Sequence, residues 1–247
     1  RQPRARGAPS ITIRASLMAI CFAPAWGAYL ARGPAAARPP TTHVFFDCDD
    51  CCYQNEWRTA AKITDAIAGY TARLGLSKER AYALYKAHGT CLKGMLVEGV
   101  IAEANVEEFL REAHDIDYAD VAADAALRAV VAAVAPPARR FVFTASTREH
   151  ALRCLARVGI DDLFEGVVDT RVCGLETKHS EAAFRAAMAH AGVADPRACM
   201  LIDDSVKNIK CARGLGWRTV LVGLTERETG RRFERAEADH HIPRLHD

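Results

Sequence analysis

The chain has 247 residues, 50% hydrophobic and 26% charged, which excludes a disordered, collagen-like or coiled-coil protein and suffices to bury a core without staples. Its 33 Lys+Arg and 31 Asp+Glu are unevenly spread: residues 1–46 hold six Arg and no acid, so residues 47–247 carry 27 cations against 31 anions, a net of −4. An acidic body gives no electrostatic reason to bind nucleic acid, whose phosphates demand clustered Lys and Arg.

Residues 1–42 read as a targeting or processing segment, expected to be disordered and outside the fold. Its uncharged run, Ala15–Ala31, is interrupted by Pro24 and Gly27, and no stable membrane span is expected. The location implied is cytoplasmic, or plastid or mitochondrial if this leader is a transit peptide; upstream translation before Met18 is the alternative. The nine cysteines follow no zinc spacing, and in a chain of this size they read as reduced, mostly buried thiols.

His43–Phe46 is an apolar run ending in acids, as in a buried strand whose carboxyl end faces a site. Helices are expected over Trp57–Leu74, from Ser77 to Gly89, after an Asn105/Glu108 capping box, and over Asp120–Val134. Residues 57–135 thus read as a helical block. From residue 139 strands alternate with helices: Arg140–Thr144, Gly166–Val168, Ala198–Ile202 and Arg218–Val222 as strands, Arg148–Val158, Ser180–Ala191 and Val206–Arg213 as helices, and Ile242–Leu245 as a short last strand. This alternation implies βαβ units and a parallel sheet. The fold class expected is therefore α/β, with a Rossmann-like parallel sheet built from residues 43–56 and 136–247. The all-helical block 57–135 would be inserted as a cap, with hinges near Asn55-Glu56 and Pro136-Pro137.

Four polar features fall at or after predicted strand ends: Asp47-Cys-Asp49-Asp50, Thr144, Lys178 and Asp203-Asp204. In open parallel sheets ligands bind at that edge. Adjacent carboxylates repel unless a cation holds them, and an anionic phosphate approaches them only if Mg²⁺ and a Lys neutralise the charge. The chemistry that fits is phosphoryl transfer. Asp47 is the candidate nucleophile and a metal ligand, and Asp49 the candidate acid and base. Thr144 and nearby backbone would hold phosphate oxygens, Lys178 would pair with Asp47 and phosphate, and Asp203 and Asp204 would complete the Mg²⁺ shell.

Phe45–Tyr53 resembles the first motif of haloacid dehalogenase-like hydrolases, and Phe141–Thr144, Lys178 and Leu201–Ser205 follow in that family's order. Tyr85–Thr90, Gly94-Met95, Glu108-Phe109, Ala113–Asp115, Asp203–Ile209 and Thr219–Gly223 resemble the pyrimidine 5′-nucleotidase-like subfamily of fungi and plants. The resemblance implies a Rossmann-like core with a C1-type helical cap and an aspartyl-phosphate mechanism. It also implies Mg²⁺ on Asp47, on the Asp49 carbonyl and on an acid of the Asp203-Asp204 pair, Asp204 foremost. The partner implied is a small phosphorylated metabolite, with Thr144, Ala145, Lys178, Lys93 and His114 as candidate substrate contacts and His88 and Arg148 as further polar candidates. Cys51 departs from the usual Thr, Ala145 from the usual Asn and His179 from the usual Pro, changes expected to weaken a hydrogen bond, remove an amide and loosen a loop.

Chain order rejects a receiver domain, in which the acidic pair comes first and the Thr and Lys come last. The Asp203-Asp204 pair argues against metal-free dehalogenase chemistry. A sugar-phosphate phosphatase or phosphomutase on the same fold, and a catalytically weakened binding protein, stand as the alternatives.

Overall fold

A computed structural model describes residues 38–246; most of the predicted leader therefore lies outside the described residues. Its last residues already belong to the folded body. Arg218, buried, donates to the Pro39 carbonyl and the Thr41 hydroxyl, and the Thr42 N–H pairs with the Ala198 carbonyl. No described helix is long and apolar enough to cross a membrane.

Six parallel strands form one sheet: β1 (His43–Phe46), β2 (Arg139–Phe143), β3 (Gly166–Val168), β4 (Cys199–Asp203), β5 (Arg218–Val222) and β6 (His240–Ile242), in the order β3-β2-β1-β4-β5-β6. β1 is central, with Phe45 level with Phe141 on one side and Leu201 on the other. The chain builds outward from β1 to β3 and then returns to β4 on the other side. The topological switch point is thus beside β1, where a parallel sheet opens a crevice at its carboxyl edge.

The two-residue period of the strands divides the core. Val44, Phe46, Val142, Met200 and Ile202 face one side, covered by Ala151, Cys154, Leu155 and Val158 of α6 (Arg148–Val158). Phe45, Phe141, Phe143 and Leu201 face the other, covered by Ala183, Phe184 and Ala187 of α7 (Glu181–Ala191) and by Ile209 and Ala212 of α8 (Val206–Gly214). Trp217 is fully buried there, with ring centroids 4.8 Å from Phe45 and 5.0 Å from Phe184.

Between β1 and β2 lie α1 (Arg58–Arg73), α2 (Lys78–His88), α3 (Cys91–Val97), α4 (Val106–Ala113) and α5 (Ala125–Ala132). Ser77, Thr90 and Asp124 cap α2, α3 and α5 by accepting from the N–H three residues on. The anticipated capping box does not form: the Asn105 side chain reaches back to the Ala102 N–H, which adds a 3₁₀ turn before α4. Tyr70, Leu84, Met95, Phe109 and Leu110 form a separate core within α1–α4. Helix α5 packs elsewhere. Leu127 and Val131, with Tyr118 and Val121, join the sheet's own core, because the apolar side of α5 lies toward α6. Within the predicted block 57–135, α1–α4 thus have a core of their own, whereas Tyr118, Val121 and α5 share the core of the sheet.

Candidate active site

The carboxyl ends of β1, β2 and β4 bring the motif residues together. Lys178, in the loop after β3, is 3% exposed and is held at three points. Its ammonium lies 2.6 Å from Asp47 Oδ1 and 2.6 Å from Asp203 Oδ2, and donates to the Phe143 carbonyl at 2.7 Å. A buried ammonium is stable only with such partners, and the two carboxylates raise its pKa far enough to keep it charged despite burial. Burial pushes the Asp47 carboxyl up to about 8, with Lys178 opposing and Asp203 and Asp49 reinforcing the shift.

Asp203 is fully buried and satisfied. Besides Lys178 it accepts from the Ser205 N–H at 2.8 Å and from Asn208 Nδ2 at 3.0 Å. His179 Nδ1 lies 3.3 Å from Asn208 Oδ1 and orients that amide. The residue that replaces the family's usual Pro therefore ties its loop to α8, contrary to the loosening expected. Cys51 likewise keeps a weak bond, Sγ to the Ile202 carbonyl at 3.6 Å. Asp204 differs from its neighbour: it accepts no hydrogen bond or ion pair within the described residues. Burial and the charges of Asp47, Asp203 and Asp50 push its carboxyl well above the ordinary range. One ammonium thus faces three carboxylates, Asp47, Asp203 and Asp204. That deficit of positive charge, among hard oxygen donors only, fits a Mg²⁺-type cation.

Asp49 sits in a different environment. Tyr53 Oη and His150 Nε2, the latter at 2.7 Å, both donate to its Oδ1, and Ser146 Oγ donates to its Oδ2 at 3.2 Å. Burial pushes its carboxyl up, but the His150 charge and these hydrogen bonds outweigh burial and hold it near 2. His150 is buried against Asp49; burial alone would lower its pKa, yet the carboxylate pushes it up to about 12. The bonding pattern agrees. Tyr118 Oη donates to the His114 carbonyl at 2.9 Å, so its oxygen accepts from His150 Nδ1 at 3.0 Å. Both ring nitrogens of His150 are then donors, as in an imidazolium.

Thr144 is buried, and its hydroxyl oxygen accepts from the Ser146 N–H at 3.0 Å; Ala145 beside it is exposed. The helical-block candidates are engaged otherwise. Lys93 Nζ lies 2.8 Å from both oxygens of Glu176, close in sequence to Lys178. His114 Nδ1 donates to the Leu110 carbonyl at 2.7 Å, and burial lowers its pKa. A cavity of about 300 Å³ lined by Tyr70, Arg73, Leu74, Val100, Ile101, Asn105 and Glu108 includes none of these polar groups.

Residues 41–216 match the model of a hydrolase family described as haloacid dehalogenase-like. The chain belongs to the haloacid dehalogenase-like hydrolase family. Solved structures similar to this hydrolase include β-phosphoglucomutase from Clostridium difficile, at 16% identity and TM-score 0.56, covering 83% of this chain and 92% of that one. CbbY from Rhodobacter sphaeroides in complex with phosphate is 18% identical at TM-score 0.56, covering 84% and 96%. A predicted phosphoglycolate phosphatase from Haemophilus somnus is 15% identical at TM-score 0.54, again covering 84% and 96%. At such identities the likeness is one of fold.

Two residues around the site of this hydrolase carry no signal in the motif reading, His150 and Ser146; Tyr53 and Asn208 lie within the resembling stretches, but those stretches assign them no role. The i, i+4 placement of His150 and Cys154 on a strongly patterned helix is the sequence trace of His150, and it looks the same as an ordinary buried face. Gly89 is another. A Cβ there would stand 2.5 Å from Thr177 Cγ2, next to Lys178, and its φ of +84° is left-handed.

Proposed function

We propose that this hydrolase is a Mg²⁺-dependent phosphomonoester hydrolase working through an aspartyl-phosphate on Asp47, with a small phosphorylated metabolite as substrate. The observation that carries the reading is the Lys178 ammonium 2.6 Å from both Asp47 and Asp203, while Asp204, which also feels the Lys178 charge, makes no ion pair among the described residues. Asp47, Asp204 and the Asp49 backbone carbonyl would hold Mg²⁺, with Asp203 supporting them. The ion would offset the negative charge of the transferring phosphoryl group.

The protein's own groups then have separate tasks. Lys178 orients Asp47 and opposes the rise that burial and Asp203 impose on its carboxyl, and a bound cation would add to that effect, so that a carboxylate oxygen can attack phosphorus. The Thr144 hydroxyl, whose oxygen already accepts from Ser146, keeps its proton free for a phosphoryl oxygen. Asp49 protonates the leaving oxygen with a proton supplied from His150 Nε2, 2.7 Å away, and afterwards takes the proton of the water that hydrolyses the acyl-phosphate. His150 is a positioning residue in this scheme, since it acts through Asp49.

For the substrate, the motifs of the helical block favour a pyrimidine nucleoside 5′-monophosphate. Thr144, Ala145 and Lys178 would meet the phosphate. His114 and Lys93 would meet the nucleoside, Lys93 only by exchanging Glu176 for it. A sugar phosphate is the second reading: one solved structure of this fold is CbbY with xylulose-(1,5)bisphosphate, 16% identical at TM-score 0.57.

A panel of pyrimidine nucleoside monophosphates, hexose phosphates and phosphoglycolate, assayed for phosphate release with Mg²⁺, separates the readings by kcat/KM. Asp47→Asn is expected to lower turnover on the best substrate on the order of 10⁴-fold or more. Wild-type turnover in that variant would refute the mechanism. Absence of turnover across the whole panel would favour a binding protein.

A further inference from the structure

A group of sulfur donors stands behind the acid–base residue, and the phosphatase reading does not use it. Cys48 Sγ, Cys154 Sγ and a carboxylate oxygen of Asp49 lie within 4.8 Å of one another. His150 Nε2 flanks them, 3.7 Å from Cys154 Sγ and 2.7 Å from Asp49 Oδ1. His150 and Cys154 are one turn apart on α6, and Cys48 and Asp49 are consecutive on the loop after β1, so two rigid elements each supply two donors. Both thiols are free and fully buried, whereas the Asp49 side chain remains 22% exposed and leaves an approach from solvent.

We propose that Cys48, Cys154, His150 and Asp49 form a binding site for one thiophilic divalent cation of the Zn²⁺ or Cd²⁺ class, distinct from the oxygen-donor site at Asp47 and Asp204. Bonds of about 2.3 Å to sulfur and about 2 Å to nitrogen or oxygen set tetrahedral donors roughly 3.5 Å apart, so binding would draw the cysteine and aspartate donors, now within 4.8 Å, together and part His150 Nε2 from Asp49 Oδ1, now 2.7 Å apart. Two sulfurs, an imidazole and a carboxylate are a borderline-soft set that discriminates against Mg²⁺. His150 already has the outer partner typical of a ligating imidazole, its Nδ1–H on Tyr118 Oη at 3.0 Å. Binding would release the thiol protons of Cys48 and Cys154 and the Nε2 proton of His150 to solvent. It would also hold the Asp49 carboxylate and cut its link to His150, so occupation inhibits turnover; that consequence rests on the acid–base role of Asp49 proposed above.

The test is Cd²⁺ titration of the reduced full chain in excess Mg²⁺, read by thiolate-to-metal charge-transfer absorption and, in parallel, by phosphate release. One equivalent is expected to saturate the band. Cys48→Ser and Cys154→Ser are each expected to weaken binding about tenfold or more, with Tyr118→Phe weakening it less. Cys211→Ser, on α8 and outside the cluster, is expected to leave it unchanged. Absence of the band in the wild type overturns the site whether or not any variant folds, and so does an equal loss in Cys211→Ser. A saturable band with undiminished turnover upholds the site and refutes the acid–base role of Asp49.

Discussion

Two aspartates two positions apart have opposite electrostatic surroundings. Asp47 shares one ammonium with Asp203 and is pushed up to about 8 by burial, whereas Asp49 has an imidazolium of its own and is held near 2. His150 therefore stabilises the fold as well as orienting Asp49. Its raised pKa contributes stability in full below about 6.5, and that contribution is lost as pH rises towards 12; the lowered pKa of Asp49 contributes above about 4 and is lost as pH falls towards 2. The pair is then worth most between about pH 4 and 6.5. His150→Gln, which keeps a donor but loses the charge, is expected to destabilise most in that window, and denaturant unfolding across pH measures it. A constant difference between wild type and variant from pH 3 to 9 would contradict the ion pair. The pairing of Lys178 with Asp47 was legible in the sequence, but the imidazolium of Asp49 was not: His150 comes from α6, a hundred residues away.

The elements place these residues, and the approach of α2 and α3 to the Lys178 loop is the tightest point. Gly89 ends α2 with φ +84° and leaves room for Thr177. Gly99 has a comparable φ of +68° but nothing within 4 Å of where its Cβ would be. Alanine at either position carries the left-handed cost of about 1–2 kcal/mol. Gly89→Ala alone should also displace Thr177 and Lys178. We expect kcat/KM to fall in Gly89→Ala and to hold in Gly99→Ala, in a comparison at matched fraction folded; equal activity would remove Gly89 from the site's architecture. Ion pairs at partly exposed positions also link the helical block to the sheet domain, among them Lys93–Glu176, Arg171–Glu107 and Lys86–Glu228. Exposed pairs of this kind contribute little to stability, because solvent screens them. The helices themselves could be read from periodicity and caps, yet α5 belongs to the sheet because Leu127 and Val131 find their partners there.

For the molecule as a whole, one sheet edge concentrates negative charge that the protein does not itself neutralise. Burial raises Asp47 to about 8, and Asp50, also next to Asp49, to about 7. Groups with raised pKa stabilise the fold below their unfolded values and lose that contribution as pH rises through about 7–8. Without a divalent ion the protein should weaken between about pH 4 and 8, and added Mg²⁺ should restore stability increasingly as pH rises. At a hundredfold excess over Kd the gain is about 2.7 kcal/mol. Thermal unfolding with and without Mg²⁺ at pH 5 and pH 8 measures this, and a Mg²⁺ effect larger at pH 5 would count against the site.

The order of apolar strands, patterned helices and strand-end acids was enough by itself to determine the α/β class, the parallel sheet and the family, because those depend on local period and on residue type at a few positions. The tertiary structure decided that His150 and Ser146 hold Asp49, that His179 steadies Asn208 and Asp203, and that α5 packs on the sheet's core. Those outcomes turn on which side chains meet across long chain separations in a low-dielectric interior, where a single partner reverses the ionisation of a carboxylate, and no local pattern encodes such a meeting.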